Sequence, residues 1–580
     1  MLFSDAKLEM ADSEHLAELR QVLSEAGVQP YLARRFRPKG GNESQLKPPA
    51  WLAGEMYVAG TGNTNLRTKL TGFFAGLHPQ DAVDIGIQTT KELQDPLTYN
   101  IVGKQSRKIE YGLCEGWVDE TDGTVCDLDW FLDSITRASL PPDIALLTEA
   151  IAVDPTDFPS AANPRVSRSK AEAATEDDLA ELNRPVRPRK GAKRRQFKRT
   201  NGLIGQRRPD GRVILSSTPG ASWGYRSGAS GHEKGTFFGN YVTVAVATKS
   251  RQVTRSLKKA KFGPPIPPYI VSWNIRPAGS NPAELSINVV DKALRLCPNI
   301  EDIIVDMGIS QLRQAFNHEM HKRGKHVTMD QKDNMLEAAK PALLGPSKYP
   351  AFVHGGTILH ICTPKHLRVP AKGLTDQELQ EFYNERERFA LTVNQHLPNG
   401  DKQFESPVHR GRFAVDPTQL TGTTGKALYP VPDDISTLFP DIPEDVLYQR
   451  YVTVTAEELD DFQQPHHGTT PQVESYGRRN QAENGISVIK DKNGFTNKTC
   501  RALNDAARAI SALARIVHHN LNTTRKRKQA VKEAKRARRA GNRARPKTHA
   551  STDSGTPEPS TPPENDTDDP SAAKPRTRPG

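Results

Sequence analysis

The middle of this chain predicts a mixed α/β protein, and three observations carry that class. Strand-like segments rich in β-branched residues recur between residues 212 and 275. A complete helix-start signal follows at Asn281-Pro282-Ala283-Glu284. Then Ile303-Ile304-Val305 forms a short, wholly apolar run ending in Asp306, the pattern of a strand buried on both faces.

Taken in order, residues 1–165 read as a mainly helical N-terminal region. Leu16, Leu19, Val22 and Leu23 recur at helical spacing, ahead of the basic run Arg34-Arg35-Phe36-Arg37-Pro38-Lys39. No clean helix-turn-helix is legible, so a DNA-binding region and a plain packing domain both fit. Residues 166–208 are charged, poor in aromatics and aperiodic, which predicts a basic linker; nine Lys/Arg and no acid lie between Arg184 and Arg199. Strands are expected at Arg212–Ser216 (RVILS), Tyr241–Ala247 (YVTVAVA) and Tyr269–Ile275 (YIVSWNI).

Asn281 is placed to cap a helix, with Pro282 in its first position and Glu284 three residues after the cap. Leu285, Val289, Leu294 and Leu296 supply its apolar positions, and Cys297-Pro298 marks its end. After the strand that Asp306 closes, Ser310 is placed to cap a helix reaching Arg323, Gly324 to stop it, and His326–Met329 to form another strand. Residues 209–330 thus form the first part of a core.

Residues 331–472 read as an insertion containing a strand at Thr357–Ile361, a helix at Asp376–Leu391 and a Gly/Pro/Thr-rich stretch at 415–435. His354, His360, Cys362 and His366 invite a zinc reading, with His360 and Cys362 on one strand face; their irregular spacing favours ordinary polar surface. Residues 473–522 read as helices completing the core, with Leu503, Ala507, Ile510, Leu513 and Val517 forming an amphipathic face. Residues 523–547 form a basic tail, twelve Lys/Arg against Glu533 alone between Arg525 and Lys547, and residues 548–580 are Ser/Thr/Pro/Asp-rich. Both tails are expected to be disordered.

The excess of 80 Lys+Arg over 68 Asp+Glu gives a net charge of +12. Its concentration in two blocks favours a polyanionic partner bound through counterion release. No apolar run approaches the roughly 20 residues needed to span a bilayer, and no signal-peptide pattern opens the chain, which predicts a cytoplasmic protein without membrane partners. Cys114, Cys126, Cys297, Cys362 and Cys500 show no CxxC spacing, which argues against a disulfide framework or a four-cysteine zinc site.

The densest chemistry lies at Tyr476, Arg479, Glu483 and Lys490, at offsets 0, 3, 7 and 14. On one continuous helix these fall within about 60° of each other, a carboxylate flanked by two cations and a phenol. A carboxylate can hold a divalent metal, and the cations answer phosphate oxygens. A solvated charged face is the plain alternative.

This spacing resembles the Tyr-x2-Arg-x3-Glu-x6-Lys signature of bacterial insertion-sequence transposases of the DDE type, over roughly residues 165 to 522. The resemblance implies a ribonuclease H-like mixed sheet with a strand-rich insertion, in which Glu483 is the third catalytic acid and Asp306 the second. Related enzymes carry an Asp-x-Gly-Tyr-Ser-like turn at the second position; here Ile309 replaces the aromatic. At the first position a Ser-Ala-Asp-Pro-like turn is expected, whereas this chain reads Ser216-Ser217-Thr218-Pro219, so Thr218 stands where the acid belongs. Asp210, just before that strand, serves only if the register shifts.

Two readings stay open: another carboxylate completes the site, or the chain is an inactive, transposase-derived DNA-binding or regulatory protein. The resemblance further implies two Mg2+ ions about 4 Å apart, with Mn2+ as substitute, held by Asp306 and Glu483. It implies double-stranded DNA (element ends and target) as partner, in the nucleoid of a bacterial cytoplasm, and is compatible with a homodimer on DNA. Tyr476, Arg479 and Lys490 become DNA-binding residues.

Overall fold

The computed structural model describes residues 12–36, 46–60, 66–87, 99–160, 165–166, 204–207, 213–216, 220–226, 235–252, 261–306, 309, 313–331, 336, 339–411, 432–440, 449–459, 462–487 and 504–544. The chain divides into two compact units, Met1–Arg527 and Lys528–Gly580. The first is a mixed α/β structure built on a six-stranded sheet. Its main path runs through β1 (Ala150–Pro159), β2 (Gly235–Thr248), β3 (Ile270–Pro277), β4 (Asp302–Val305) and β5 (His326–Met329), in the spatial order β3-β2-β1-β4-β5. β1, β2 and β3 pair antiparallel, while β4 lies parallel to both β1 and β5. Ser222–Arg226 adds a sixth strand along the start of β2.

Strand alternation sends successive side chains to opposite faces, and each face has its own cover. Ile151, Val153, Ile303, Val305, Val327 and Met329 pack in one apolar cluster. Their helical partners are α4 (Pro282–Leu296), through Val289 and Val290, and α5 (Arg313–Lys322), through Phe316 and Met320. Ala152, Phe158, Val244, Val246 and Ile304 belong to the cluster on the other face. There α1 (Ser13–Glu25), α2 (Pro48–Gly60), α3 (Leu128–Ala138), α6 (Thr470–Tyr476), α7 (Arg479–Ser487) and α8 (Asp505–Ala544) gather. α7 lies on β1 and β2, and α3 beside β3.

The local signals explain most element ends. The Asn281 side chain accepts from the Ala283 N–H at 3.1 Å, so α4 starts at its predicted cap and proline. Gly324 adopts φ +66° beyond α5, as its predicted stop requires. Ser310 lies outside the described residues. α8 docks on the edge strand β3 through the buried Asn520. Its Oδ1 accepts from the Ile270 N–H at 3.0 Å, while its Nδ2 donates to Ile270 O at 3.1 Å and Ser139 Oγ at 2.9 Å. The ladder is irregular there, between Ile270 and Ser272, and the amide supplies both missing partners.

Four expectations are corrected. The strand foreseen at Arg212–Ser216 exists as Val213–Ser216, but it pairs with Ile204–Arg207 and Arg165–Val166 in a separate three-stranded sheet. The first strand of the main sheet is β1, inside the region expected to be helical. Its apolar pattern is interrupted by Pro155, which is tolerated because β4 pairs β1 only as far as Val153. Second, the helix expected over Asp376–Leu391 ends at Arg386 and passes into a 3-10 turn at Glu387–Phe389. Third, α8 continues through the basic block expected to be disordered and ends at Ala544. That block is dominated by Ala, Lys and Arg, strong helix formers that outweigh charge repulsion. Fourth, the helix expected to carry the whole signature is broken: α6 ends at Tyr476 and α7 begins at Arg479.

The insertion contains two antiparallel three-stranded sheets, Lys340–Leu344/Tyr349–His354/Thr357–His360 and Thr392–His396/Lys402–Glu405/Tyr451–Val454. They share a core that includes Tyr349, Ala351, Phe404 and Val452. Among the described residues no helix is long and apolar enough to cross a membrane.

Candidate active site

The parallel ladder ends with Val153 opposite Val305. The next residue on each strand is an aspartate, Asp154 on β1 and Asp306 at the end of β4. By alternation each points away from the α4 side, toward the face on which α7 lies. α7 buries Ala482, Gly485 and Ile486 against the sheet, which leaves Arg479 and Glu483, four residues apart, on its neighbouring face.

Arg479 joins the three acids. Its Nη2 lies 3.2 Å from Asp306 Oδ1 and 3.7 Å from Asp154 Oδ1, and its Nη1 donates to Glu483 Oε1 at 2.6 Å. The Arg479 side chain is only 17% exposed, against 49% for Glu483, so the guanidinium is embedded while one acid faces solvent. Burial pulls its pKa down, but Asp154 foremost, then Tyr476, Asp306 and Glu483, hold it above the ordinary value. Arg479 therefore stays a cation.

Tyr476, the last residue of α6, has its ring 6.0 Å from the Arg479 guanidinium carbon. Burial raises its phenol above the usual range; Asp306, Asp330 and Glu483 push the same way, and Arg479 opposes them. The hydroxyl is therefore a donor at neutral pH. Asp330 follows Met329, which pairs with Val305, so another carboxylate lies one strand over from Asp306.

The element carrying Tyr476 and Arg479 is anchored by the residue between α6 and α7. Arg478 is fully buried and forms an ion pair with Asp302 at the start of β4. It also donates through Nε to Ser475 O at 2.9 Å and through Nη1 to Lys249 O, beyond the end of β2, at 3.1 Å. One guanidinium thus fixes the α6–α7 junction to two strands. Gln481 adds a bond from Nε2 to Ile266 O at 2.9 Å.

Of the predicted site residues, Asp306, Glu483, Arg479 and Tyr476 come together. Lys490, Asp210 and Thr218 lie outside the described residues. Thr218 follows in sequence a strand of the separate small sheet, while Asp154 stands on β1 of the main sheet, beside Asp306. The signal for Asp154 was present: Ala150-Ile151-Ala152-Val153-Asp154 repeats the apolar-run-then-acid pattern of Ile303-Ile304-Val305-Asp306.

Three carboxylates are hard oxygen donors of the kind Mg2+ requires. Among the described residues no three His, Cys, Asp or Glu side chains are arranged to hold a metal ion; the position that these acids face is taken by the guanidinium. The donor chemistry therefore suits a divalent cation, while the present side-chain arrangement suits Arg479.

The zinc reading of the insertion is likewise not carried: His354, His360 and Cys362 are buried, whereas His366 is exposed, so the polar-surface alternative holds for His366 alone. His354 Nδ1 accepts from Arg386 Nη1 at 2.7 Å, and His360 Nδ1 from the Cys362 N–H at 3.1 Å. Burial pushes the Cys362 thiol up to about 12, far from the thiolate that zinc needs.

No family model matches this chain, and no curated protein matches it.

Proposed function

We propose that the chain is a DDE-type transposase that binds double-stranded DNA and catalyses metal-dependent phosphodiester cleavage and strand transfer. The observation that carries this reading is the convergence of Asp154, Asp306 and Glu483, from two neighbouring strands and a helix, on the single guanidinium of Arg479. The strand order β3-β2-β1-β4-β5, with β1 antiparallel to β2 and parallel to β4, supports a ribonuclease H-like core. The spacing of Tyr476, Arg479, Glu483 and Lys490 supports the insertion-sequence family.

Asp154, Asp306 and Glu483 would hold the Mg2+ ions, which supply Lewis-acid charge for an in-line displacement at phosphorus. Arg479 provides a bidentate cation for a phosphate beside the scissile bond. Tyr476, kept protonated by its surroundings, donates to a phosphate oxygen or stacks on a terminal base. Lys490 adds charge further along the backbone, and the cationic blocks give salt-sensitive affinity for the duplex. Arg478 positions this set through Asp302 and contacts no DNA.

The rival reading, an inactive DNA-binding derivative, draws its support from Thr218; a third acid at Asp154 supports the active reading instead. The test uses purified full-length protein, Mg2+ and duplexes spanning the DNA on either side of its own gene. Glu483→Gln should abolish cleavage and strand transfer while retaining duplex binding. Cleavage that persists in this variant refutes the assignment, and binding without cleavage by the wild type leaves the rival reading in its place.

A further inference from the structure

We propose that Arg479 is a latch: its guanidinium is a tethered cation that closes the carboxylate site, and a divalent ion enters only as Arg479 turns out toward a DNA phosphate. The inference rests on the metal-dependent reading above and adds its regulation.

One side chain contacts all three acids, with Nη2 shared by Asp154 and Asp306 and Nη1 given to Glu483. A guanidinium brings one positive charge to three acid side chains, whereas a divalent ion brings two to the same oxygens. Arg479 Nε is buried without a hydrogen-bond acceptor, so the guanidinium is held at its tip and not along its length. Arg479 is also the first residue of α7, directly after the break at Gly477-Arg478. Its side chain can therefore rotate out while the helix stays fixed by Arg478 and the buried Ala482, Gly485 and Ile486. Glu483, half-exposed, marks the open side.

Metal and guanidinium compete for the same oxygens, whereas phosphate and carboxylates compete for the same guanidinium. DNA that takes Arg479 leaves the acids to the ion, and an ion that takes the acids leaves Arg479 to DNA. Each ligand therefore favours the other, and the coupling is reciprocal. The device keeps a nuclease centre from charging with metal in the absence of its substrate.

The experiment measures Mn2+ binding to full-length protein by the loss of the free-ion electron paramagnetic resonance signal, with and without a mixed-sequence duplex. Without DNA, Arg479→Ala should bind Mn2+ about tenfold or more tightly than wild type. Arg479→Gln, which keeps a polar side chain but is too short to place a donor where Nη1 and Nη2 stand, should do the same and covers the case in which the alanine variant does not fold. Adding duplex should tighten Mn2+ binding to wild type and leave both variants nearly unchanged. If wild type and variants bind Mn2+ equally in the absence of DNA, and Asp306→Asn abolishes that binding, the latch is overturned while the metal site stands. If none of the proteins binds Mn2+ in a manner sensitive to Asp306→Asn, with or without duplex, the metal-dependent reading falls and takes the latch with it.

Discussion

Asp154 and Asp306 stand at the same height on neighbouring parallel strands, each one residue beyond the paired Val153 and Val305. Parallel strands lie about 4.8 Å apart, so this register alone brings two carboxylates side by side just beyond the last paired residues of the β1–β4 ladder.

The first prediction concerns the acid of β1. Asp154→Asn should lower metal-dependent strand cleavage by about 100-fold or more, a loss typical of removing one charged group from a preorganised site. Duplex affinity at fixed salt should change little, because the substitution removes no cation. Cleavage assays beside gel-shift titrations check both halves; full activity in this variant would exclude β1 from the site.

Arg478 and Asp302 form a buried pair, with side chains 0% and 7% exposed. Arg478→Ala leaves a buried carboxylate without its cation and should destabilise the first unit by about 3–5 kcal/mol. Replacing both partners, as Arg478→Met with Asp302→Leu, should recover part of that stability without recovering activity, since the α6–α7 junction loses its tie to Lys249 O. Urea unfolding of the single and the double variant beside wild type separates these outcomes.

Asn520 satisfies both backbone groups of Ile270 at the irregular edge of β3. Asn520→Leu should cost about 1–3 kcal/mol for each group left buried without a partner. Amide exchange at Ile270 should accelerate in the same variant. A stability equal to wild type would show that the edge strand does not depend on α8.

Acid should weaken the fold through its buried histidines. Burial, with Lys402 next, lowers His321 to about 3; burial, with Arg386 next, lowers His354 to about 4 and His467 to about 3. All three fold as neutral rings below the unfolded value near 6.5. Their contribution is complete above pH 6.5 and is lost progressively as pH falls toward 4, because the unfolded chain takes up protons that the native state refuses. Thermal melts between pH 8 and 5 should show a falling midpoint. His321→Leu should reduce the proton uptake on unfolding near pH 5 by about one.

Much of this was legible where local chemistry decides the outcome. The Asn281 cap, the glycine stop at Gly324 and the apolar run before Asp306 each express a local preference, and each stands where the pattern put it. Asp154 was missed for the opposite reason. Pro155 breaks the alternation of β1, and beyond Val153 only the pairing with β2, whose residues begin some 85 positions later, continues the strand. The helix break between Tyr476 and Arg479 was equally hidden, since Arg478 departs from a smooth helix face to reach Asp302, far away in sequence. Arg479 was read as a phosphate ligand alone; its contact with three acids depends on strands that only the fold assembles.

The place of β1 in the chain sets where the protein can be divided. A fragment begun after the cationic stretch at 184–199, where composition invites a cut, would lack the middle member of its sheet. β2 and β4 would then face each other across a missing ladder, and the site would keep one aspartate of the pair. The leading helices and the strand behind them are thus not a detachable module: a split protein would regain its centre only if both pieces were produced together and the short one slotted back between its neighbours.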